Sequence, residues 1–161
     1  ANKPPGSFSG KGQIESAMDQ ATVFSTLDTD VAQIPFVVGI NNHQGGAGCD
    51  DLALMTRECE WALERGFFVV DSNSSVKPQV AIAAVNTGLG KKKNQVFIDH
   101  DNNPDYIRQA MRNLADLARK SGYAVGICHW MRPNTPSVVG EMIKTLPAEG
   151  IHFAFVQYVN N

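Results

Sequence analysis

The sequence has few cysteines, little net charge and no long apolar run, and each shortage argues against one class of protein. Its three cysteines include no CxxC pair, so neither a zinc ribbon nor a thioredoxin-type redox site is predicted. The net charge is −2, so the sequence lacks the excess of basic residues that is typical of nucleic-acid-binding proteins. No apolar stretch approaches the roughly 18 residues that span a bilayer. Three cysteines cannot all pair in disulfides within one chain, so the sequence leaves the redox states of Cys49, Cys59 and Cys128 open.

The chain has 161 residues, a length that predicts one domain with a substantial core. Residues 1–12 are rich in proline, glycine and serine, so we expect an irregular arm there. Residues 13–161 are predicted to form a single α/β domain. The sequence opens on Ala1 and shows no signal-peptide pattern, so we expect it to be a processed or excised part of a longer chain.

Helical and strand patterns alternate from Gln13 onward. The first helix is predicted from the spacing of six apolar residues: Ile14, Ala17, Met18, Ala21, Phe24 and Leu27. Short apolar runs bounded by turn residues predict five strands: 36–40, 67–70, 95–98, 123–128 and 151–156. This alternation with short links favours right-handed crossovers and a parallel sheet, either open or barrel-like.

Several helix ends carry clear local signals. Asp50 or Asp51 is expected to cap the second helix, and Gly66 to end it. Four residues of that helix have a spacing that predicts burial: Leu52, Met55, Cys59 and Leu63. Asn103 is expected to cap the long helix that Gly122 ends.

Each of the first four predicted strands is followed directly by polar side chains, several of which can bind a metal or transfer a proton. The four clusters are Asn41-Asn42-His43, Asp71-Ser72, Asp99-His100-Asp101 and His129-Trp130. In parallel α/β folds the loops after the strands open on one face, and that face holds the active site. We therefore predict that these clusters converge around one pocket.

The first cluster has two interpretations. His43 suits a metal ligand oriented by neighbouring amides, whereas Asn and Gly also serve in an ordinary surface turn. A phosphate-binding loop over 45–48 is disfavoured, because Asp50 and Asp51 place negative charge where a phosphate needs positive potential.

Asp99 is the better functional candidate of its cluster, as a base, a metal ligand or an orienting group. Asp101 or Asn102 is expected to cap the following turn. Asp71 and Ser72 lack the GxSxG elbow of serine hydrolases, so Asp71 is expected to hold the rim together by hydrogen bonds.

His129 suits a general acid, with Trp130 as a platform for a sugar ring. The alternative is a partly buried histidine that donates to a backbone carbonyl. Arg132 is expected to pair with Asp99, with Asp101 or with a substrate anion.

Four motifs occur in one order: GINNHQGG, FFVVDS, VFIDHD followed by NPDYIRQAMRNLADLARKSG, and AVGICH. From about Pro35 onward the chain resembles the divergent polysaccharide deacetylase family. The resemblance implies a parallel (β/α)-barrel-like fold and hydrolysis of N-acetyl groups on an envelope glycan. It also implies a divalent metal, zinc above all, and a periplasmic or cell-envelope location.

The resemblance assigns roles to individual residues. His43 falls on the histidine of the NNH motif and is the expected metal ligand. Asp71 and Asp99 fall on the motif aspartates, with Asp99 as base or orienting group, and His129 falls on the histidine that serves as acid. The expected catalytic residues are Asp99, His129 and Asp71. The expected substrate-binding residues are Asn41, Asn42, Trp130 and Arg132.

The chain also departs from the family pattern. The family's Asp-Asp and HLPM-like motifs are missing, and GHPHP is altered to CHWMRP, with Met131 in place of the second histidine. The chain therefore resembles the C-terminal two-thirds of the domain without its first strands. Open barrel edges would allow self-association. The alternative function is a catalytically inactive carbohydrate-binding or envelope-interaction module, because fold alone does not decide activity.

Overall fold

The computed structural model describes residues 12–43 and 46–159. The predicted arm over residues 1–12 lies outside these residues except for Gly12. The chain divides into two compact units, an N-terminal unit that runs to Lys93 and a C-terminal unit that starts at Asn94. Each unit contains helices and one pair of parallel strands.

The N-terminal unit alternates helices with short strands. Its elements are α1 (Gln20–Val31), β1 (Gly39–Asn41), α2 (Gly46–Cys49), α3 (Leu52–Glu64), β2 (Phe68–Val70) and α4 (Val80–Thr87). Helix α1 begins seven residues after the predicted start at Gln13, because the Asp19 side chain accepts the Thr22 N–H at 2.8 Å and caps the helix there. Ile14 and Met18 still pack against the core from the turn that precedes α1.

Strand β1 is shorter than the predicted run over 36–40. Phe36 has a φ of 60° and is 98% exposed, so the backbone leaves strand geometry just after Pro35. The register pairs Gly39 with Phe68, and an added Cβ on Gly39 would lie 2.5 Å from the Phe68 ring. Glycine at this position therefore lets the ring lie over the neighbouring strand.

The structure confirms the predicted cap of helix α3 but only part of its predicted buried face. Asp51 accepts the N–H groups of Ala53 and Leu54 at 2.9 and 3.1 Å. The prediction is wrong for Leu52 and Leu63, which are exposed. The buried face is instead formed by Leu54, Met55, Cys59, Trp61 and Ala62. Trp61 is the largest of these side chains, so its burial favours packing of this face against the core.

The core of the N-terminal unit lies between α3, its neighbouring helices and the strand pair. It is built from buried residues of α1, α3, β2 and α4, among them Val23, Leu54, Trp61, Val69 and Ala83. Gly88 ends α4 with a φ of 88°, a left-handed conformation that glycine adopts without strain.

The C-terminal unit is organised around one long amphipathic helix. Its elements are β3 (Val96–Phe97), α5 (Pro104–Ser121), β4 (Gly126–Ile127), α6 (Thr135–Thr145) and two short 3-10 helices, Leu146–Glu149 and Val156–Tyr158. Asn103 caps α5 and Gly122 ends it with a φ of 83°, and both predictions are confirmed. The apolar face of α5 packs against α6, with Ile107, Met111, Val138, Met142 and Leu146 in the shared core.

The prediction of a parallel α/β arrangement is confirmed only in part. Both strand pairs are parallel, but the described residues form two separate two-stranded sheets and not a complete barrel. The predicted fifth strand over 151–156 is wrong: these residues pair with no strand in the described part of the chain and run into the last 3-10 helix. A strand needs a partner to satisfy its backbone, and an apolar run alone does not supply one. Among residues 12–43 and 46–159, no helix has both the length and the apolar character of a membrane span.

Candidate functional site

The register of β3 and β4 places Asp99 opposite His129. The two strands pair in parallel with partners 30 residues apart. The Ile98 N–H donates to the Ile127 carbonyl at 2.9 Å, which closes the Phe97–Ile127 pair at the ends of the two strands. Asp99 and His129 each lie two residues beyond that pair at the same 30-residue offset, so the contact follows from strand pairing.

Asp99 is fully buried (0% exposed) and surrounded by donors. Its Oδ2 accepts the His129 backbone N–H at 2.7 Å and the Thr135 hydroxyl at 2.9 Å. The Arg132 guanidinium Nε lies 4.0 Å from the same oxygen. Its Oδ1 lies 3.0 Å from Nδ1 of the His129 ring. A carboxylate held in this way can orient an imidazole.

These contacts keep Asp99 ionised. Burial by itself would raise the pKa of Asp99, but hydrogen bonds from His129 and from Thr135 outweigh it and lower the pKa below its ordinary value. Burial raises the pKa of the neighbouring Cys128 thiol, and the Asp99 charge adds to that effect. Cys128 is therefore held as a thiol, which is a poor nucleophile.

His129 combines a fixed ring orientation with access to solvent. Its side chain is 38% exposed, and the partner of Nδ1 is the Asp99 carboxylate, not a backbone carbonyl. An imidazole held through Nδ1 can exchange protons through Nε2, as in acid–base pairs of this type.

The residues after His129 form a turn that exposes an aromatic side chain. The Arg132 N–H donates to the His129 carbonyl at 3.2 Å. Trp130 is 79% exposed, so its ring face is open to a ligand. Of the partners expected for Arg132, the structure shows Asp99, and the guanidinium also donates to the His100 carbonyl at 3.4 Å.

In the N-terminal unit, Asn41 and Asn42 brace the ends of β1 and β2. The Asn41 side-chain amide donates to the Ser72 hydroxyl at 2.8 Å, and the Ser72 N–H donates to Asn42 Oδ1 at 2.8 Å. The Asn42 amide also donates to Cys49 Sγ at 2.9 Å and to Ser74 Oγ at 3.2 Å. These amides already make protein hydrogen bonds, so they fix the shape of the loops.

Asp71 is buried beside these amides and is 0% exposed. Its Oδ1 accepts the Asn73 N–H at 2.7 Å, which agrees with the expectation that it holds the rim together. Its Oδ2 has no hydrogen-bond partner among the residues that the structure describes. A buried carboxylate oxygen without a partner is costly, and such groups are rare in native structures.

His43 lines a cavity of about 640 Å³ in the N-terminal unit. Asn41 and Asn42 contribute polar atoms to the same cavity, and Glu58 of α3 contributes a carboxyl. The apolar lining includes Leu27, Val31, Ile40, Met55 and Val80. Burial raises the pKa of Glu58 to about 7, so this carboxyl is half-protonated near neutral pH.

A sequence model of divergent polysaccharide deacetylases matches residues 2–159. The chain belongs to this family. The uncharacterized protein YibQ of Escherichia coli (strain K12) is 31% identical over 140 residues, which cover 86% of this chain and 43% of YibQ. An uncharacterized protein of Haemophilus influenzae is 28% identical over 138 residues, which cover 86% of this chain and 49% of that protein. The chain thus spans less than half the length of these two family members.

The fold of this family member is also found in a solved structure. The crystal structure of an uncharacterized protein from Agrobacterium tumefaciens C58 aligns with a TM-score of 0.88, over 94% of this chain and 61% of the other. The two sequences are 18% identical, so the likeness shows the shared fold alone.

The donor groups of this deacetylase-family chain do not fit a metal on their own. Within the described ranges, no group of three His, Cys, Asp or Glu side chains is arranged to hold an ion. A catalytic zinc has three protein ligands. His43 stays the predicted ligand, and the described residues do not complete a set of three around it.

The structure therefore gathers the predicted site residues of this family member into two sets. The N-terminal unit holds Asn41, Asn42 and Asp71 beside Ser72, and the C-terminal unit holds Asp99, His129 and Arg132. Convergence of both sets on one pocket stays a prediction.

Sequence reasoning missed Glu58 and Thr135. Glu58 lies four residues after Leu54 and four before Ala62, so its position on the buried stripe of α3 was a usable signal. Thr135 gave no such signal, because its contact with Asp99 depends on how α6 meets the strands.

Proposed function

We propose that this chain is a hydrolase domain that removes acyl groups from an N-acylated polysaccharide, with Asp99 and His129 as its proton-transfer pair. The observation that supports this most is the buried, ionised Asp99 carboxylate against His129 Nδ1 at 3.0 Å. Membership of the deacetylase family supports this reaction class. An N-acetylated glycan of the periplasm or cell envelope is the substrate class implied by the resemblance.

The geometry suits both proton transfers of amide hydrolysis. A water attacks the acyl carbon, and His129 takes the proton that this water loses. The ring becomes an imidazolium, and the adjacent Asp99 carboxylate stabilises that positive charge. When the C–N bond breaks, His129 returns the proton to the leaving nitrogen. The products are a free amine on the sugar and a carboxylic acid, so atoms and charge balance.

Trp130 is placed to bind the sugar in this proposal. Its exposed ring directly follows His129 in the chain, and an aromatic face packs well against the apolar face of a pyranose. Asn41, Asn42 and Arg132 remain candidate substrate contacts. Metal dependence rests on His43 and is a separate part of the proposal, because the described residues do not form a complete set of three ligands.

A second candidate is a glycan-binding module without turnover. The described residues assemble no set of three metal-binding side chains, which favours it, and an exposed tryptophan serves binding as well as catalysis.

The two candidates differ in whether acid is released. We would incubate the natural full-length protein with N-acetylated chitooligosaccharides and measure acetate, glycan affinity and bound zinc in the same preparation. We expect His129→Ala to lower kcat by a factor on the order of 10² to 10⁴ while glycan affinity is kept. His152→Ala, which changes an exposed histidine of the same unit, is the control and should retain full activity.

Acetate release that survives His129→Ala would contradict the assigned role of the pair. Glycan binding that depends on Trp130, with no acetate released by the wild type, would favour the binding module. Zinc at one equivalent that is lost in His43→Ala would support the metal ligand.

A further inference from the structure

Thr135 is the first residue of α6, and its side chain is almost completely buried. Its hydroxyl donates to Asp99 Oδ2 at 2.9 Å, and its backbone N–H donates to the Arg132 carbonyl at 3.3 Å. The N-terminus of this 11-residue helix also carries partial positive charge, which favours an anion beside it. The Asp99 carboxylate is therefore stabilised both by the Thr135 hydroxyl and by the partial positive charge at the N-terminus of α6.

The start of α6 is itself tied to the loop that follows Asp99. The Asn134 side-chain amide donates to the Asn102 carbonyl at 2.9 Å, and the Asn134 backbone N–H donates to Asn102 Oδ1 at 3.3 Å. Asn102 lies three residues after Asp99, and Asn134 directly precedes Thr135. These two hydrogen bonds, both donated by Asn134, fix the position of the hydroxyl relative to the carboxylate.

The two Asp99 oxygens then have different tasks. Oδ2 is bound by the Thr135 hydroxyl and the His129 N–H, so the carboxylate cannot rotate freely. Oδ1 is left facing His129 Nδ1 at 3.0 Å. A carboxylate oxygen at this place favours the tautomer with the proton on Nδ1, which leaves the Nε2 lone pair for proton transfer.

We propose that Thr135 is a positioning residue: it fixes the rotation of the Asp99 carboxylate and thereby the tautomer of His129. This inference rests on the proposed function, since the tautomer matters only if His129 transfers protons. Thr135 itself touches neither ring nitrogen in this assignment and acts through Asp99.

The charged and titratable groups that face Asp99 are His129 and Cys128 beyond β4 and Arg132 in the following turn. A hydroxyl that donates to a carboxylate stabilises its charged form. Loss of the Thr135 hydroxyl should therefore raise the pKa of Asp99, while Arg132 stays in place to limit the change.

Thr135→Val tests the inference, because valine keeps the shape of the side chain and removes the donor. Thr135→Ser restores the hydroxyl and is the matched rescue, and Thr135→Ala replaces the valine variant should that variant not fold. In each full-length protein we would record the ring ¹⁵N shifts of His129, the ¹³C titration of the Asp99 carboxyl and the pH profile of acetate release.

We expect the valine variant to show less of the Nδ1–H tautomer, a higher pKa of Asp99 and a kcat roughly tenfold lower with KM unchanged. Serine should restore all three. A valine variant that only melts earlier, with wild-type tautomer and titration, would overturn the inference. If the wild type releases no acetate, the proposed function fails, while the two NMR readouts still decide the effect of Thr135 on the pair.

Discussion

Glu58 predicts a specific pH dependence of stability. Burial raises the pKa of this carboxyl from 4.5 to about 7 in the folded protein, whereas the unfolded chain keeps the ordinary value. Below pH 4.5 both states hold the proton, so Glu58 costs nothing. Between pH 4.5 and about 7 the unfolded state releases a proton that the folded state keeps, so stability falls as pH rises. Above about pH 7 the full cost is present.

The magnitude follows from the two pKa values. They differ by about 2.5, and each pH unit between them is worth about 1.36 kcal/mol. Ionised Glu58 should therefore destabilise the fold by about 3 kcal/mol at pH 8. That is a large fraction of the roughly 5–15 kcal/mol that separates folded from unfolded states in typical proteins.

Glu58→Gln removes the titration and keeps the size of the side chain. We expect urea unfolding at pH 8 to show the variant more stable than the wild type by about 3 kcal/mol. At pH 4 the two proteins should agree within about 0.5 kcal/mol. The control is Glu64→Gln, an exposed carboxyl on the same helix, which should change stability little at either pH.

A difference between Glu58→Gln and wild type that is the same at pH 4 and pH 8 would refute the reasoning. Such a result would show that the substitution acts through packing alone.

Three further substitutions test the packing described above. Asp28→Asn should cost about 1 kcal/mol at pH 7, because the carboxylate accepts two hydrogen bonds from the Arg65 guanidinium at 2.6 and 2.7 Å. Those bonds lower the pKa of Asp28 from its ordinary value of 3.8, so the stability that they contribute is lost as pH falls below 3.8. If Asp28→Asn still destabilises the protein at pH 2 in urea titrations, that result would contradict this explanation. Gly39→Ala should lose about 1–3 kcal/mol, since the new Cβ would lie 2.5 Å from the Phe68 ring. Gly140→Ala, where nothing lies within 4 Å of the new Cβ, should gain up to about 1 kcal/mol in the same assay; equal effects at the two glycines would argue against the close approach at β1.

The features that could be predicted from sequence are those set by local chemistry. Asp51 and Asn103 cap their helices, and Gly122 ends α5, because the capping group and the backbone it satisfies lie within a few residues of each other. The strand extents could not be predicted in the same way. Phe36 turns out of the strand, and the run over 151–156 pairs with no described strand, since strand pairing depends on distant residues.

The candidate site shows the same division. Asp99 and His129 were predicted because each directly follows a strand, and a strand end is visible in the sequence. The donor from Thr135 was not predictable, because it arrives from a helix that begins 36 residues after Asp99. The partly buried position of Glu58 on α3 was not predicted, because a charged side chain is usually exposed.

The dependence of the Asp99–His129 contact on strand register makes the chain unequally tolerant of length changes. Insertions in the loop between α5 and β4 leave the ladder from Val96 to Ile98 undisturbed, so they should be accepted as readily as loop changes usually are. One residue added between Ile127 and His129 would instead move the imidazole away from its carboxylate. Natural variants of this protein should therefore vary in length between α5 and β4, and keep the short segments after β3 and β4 at a constant number of residues.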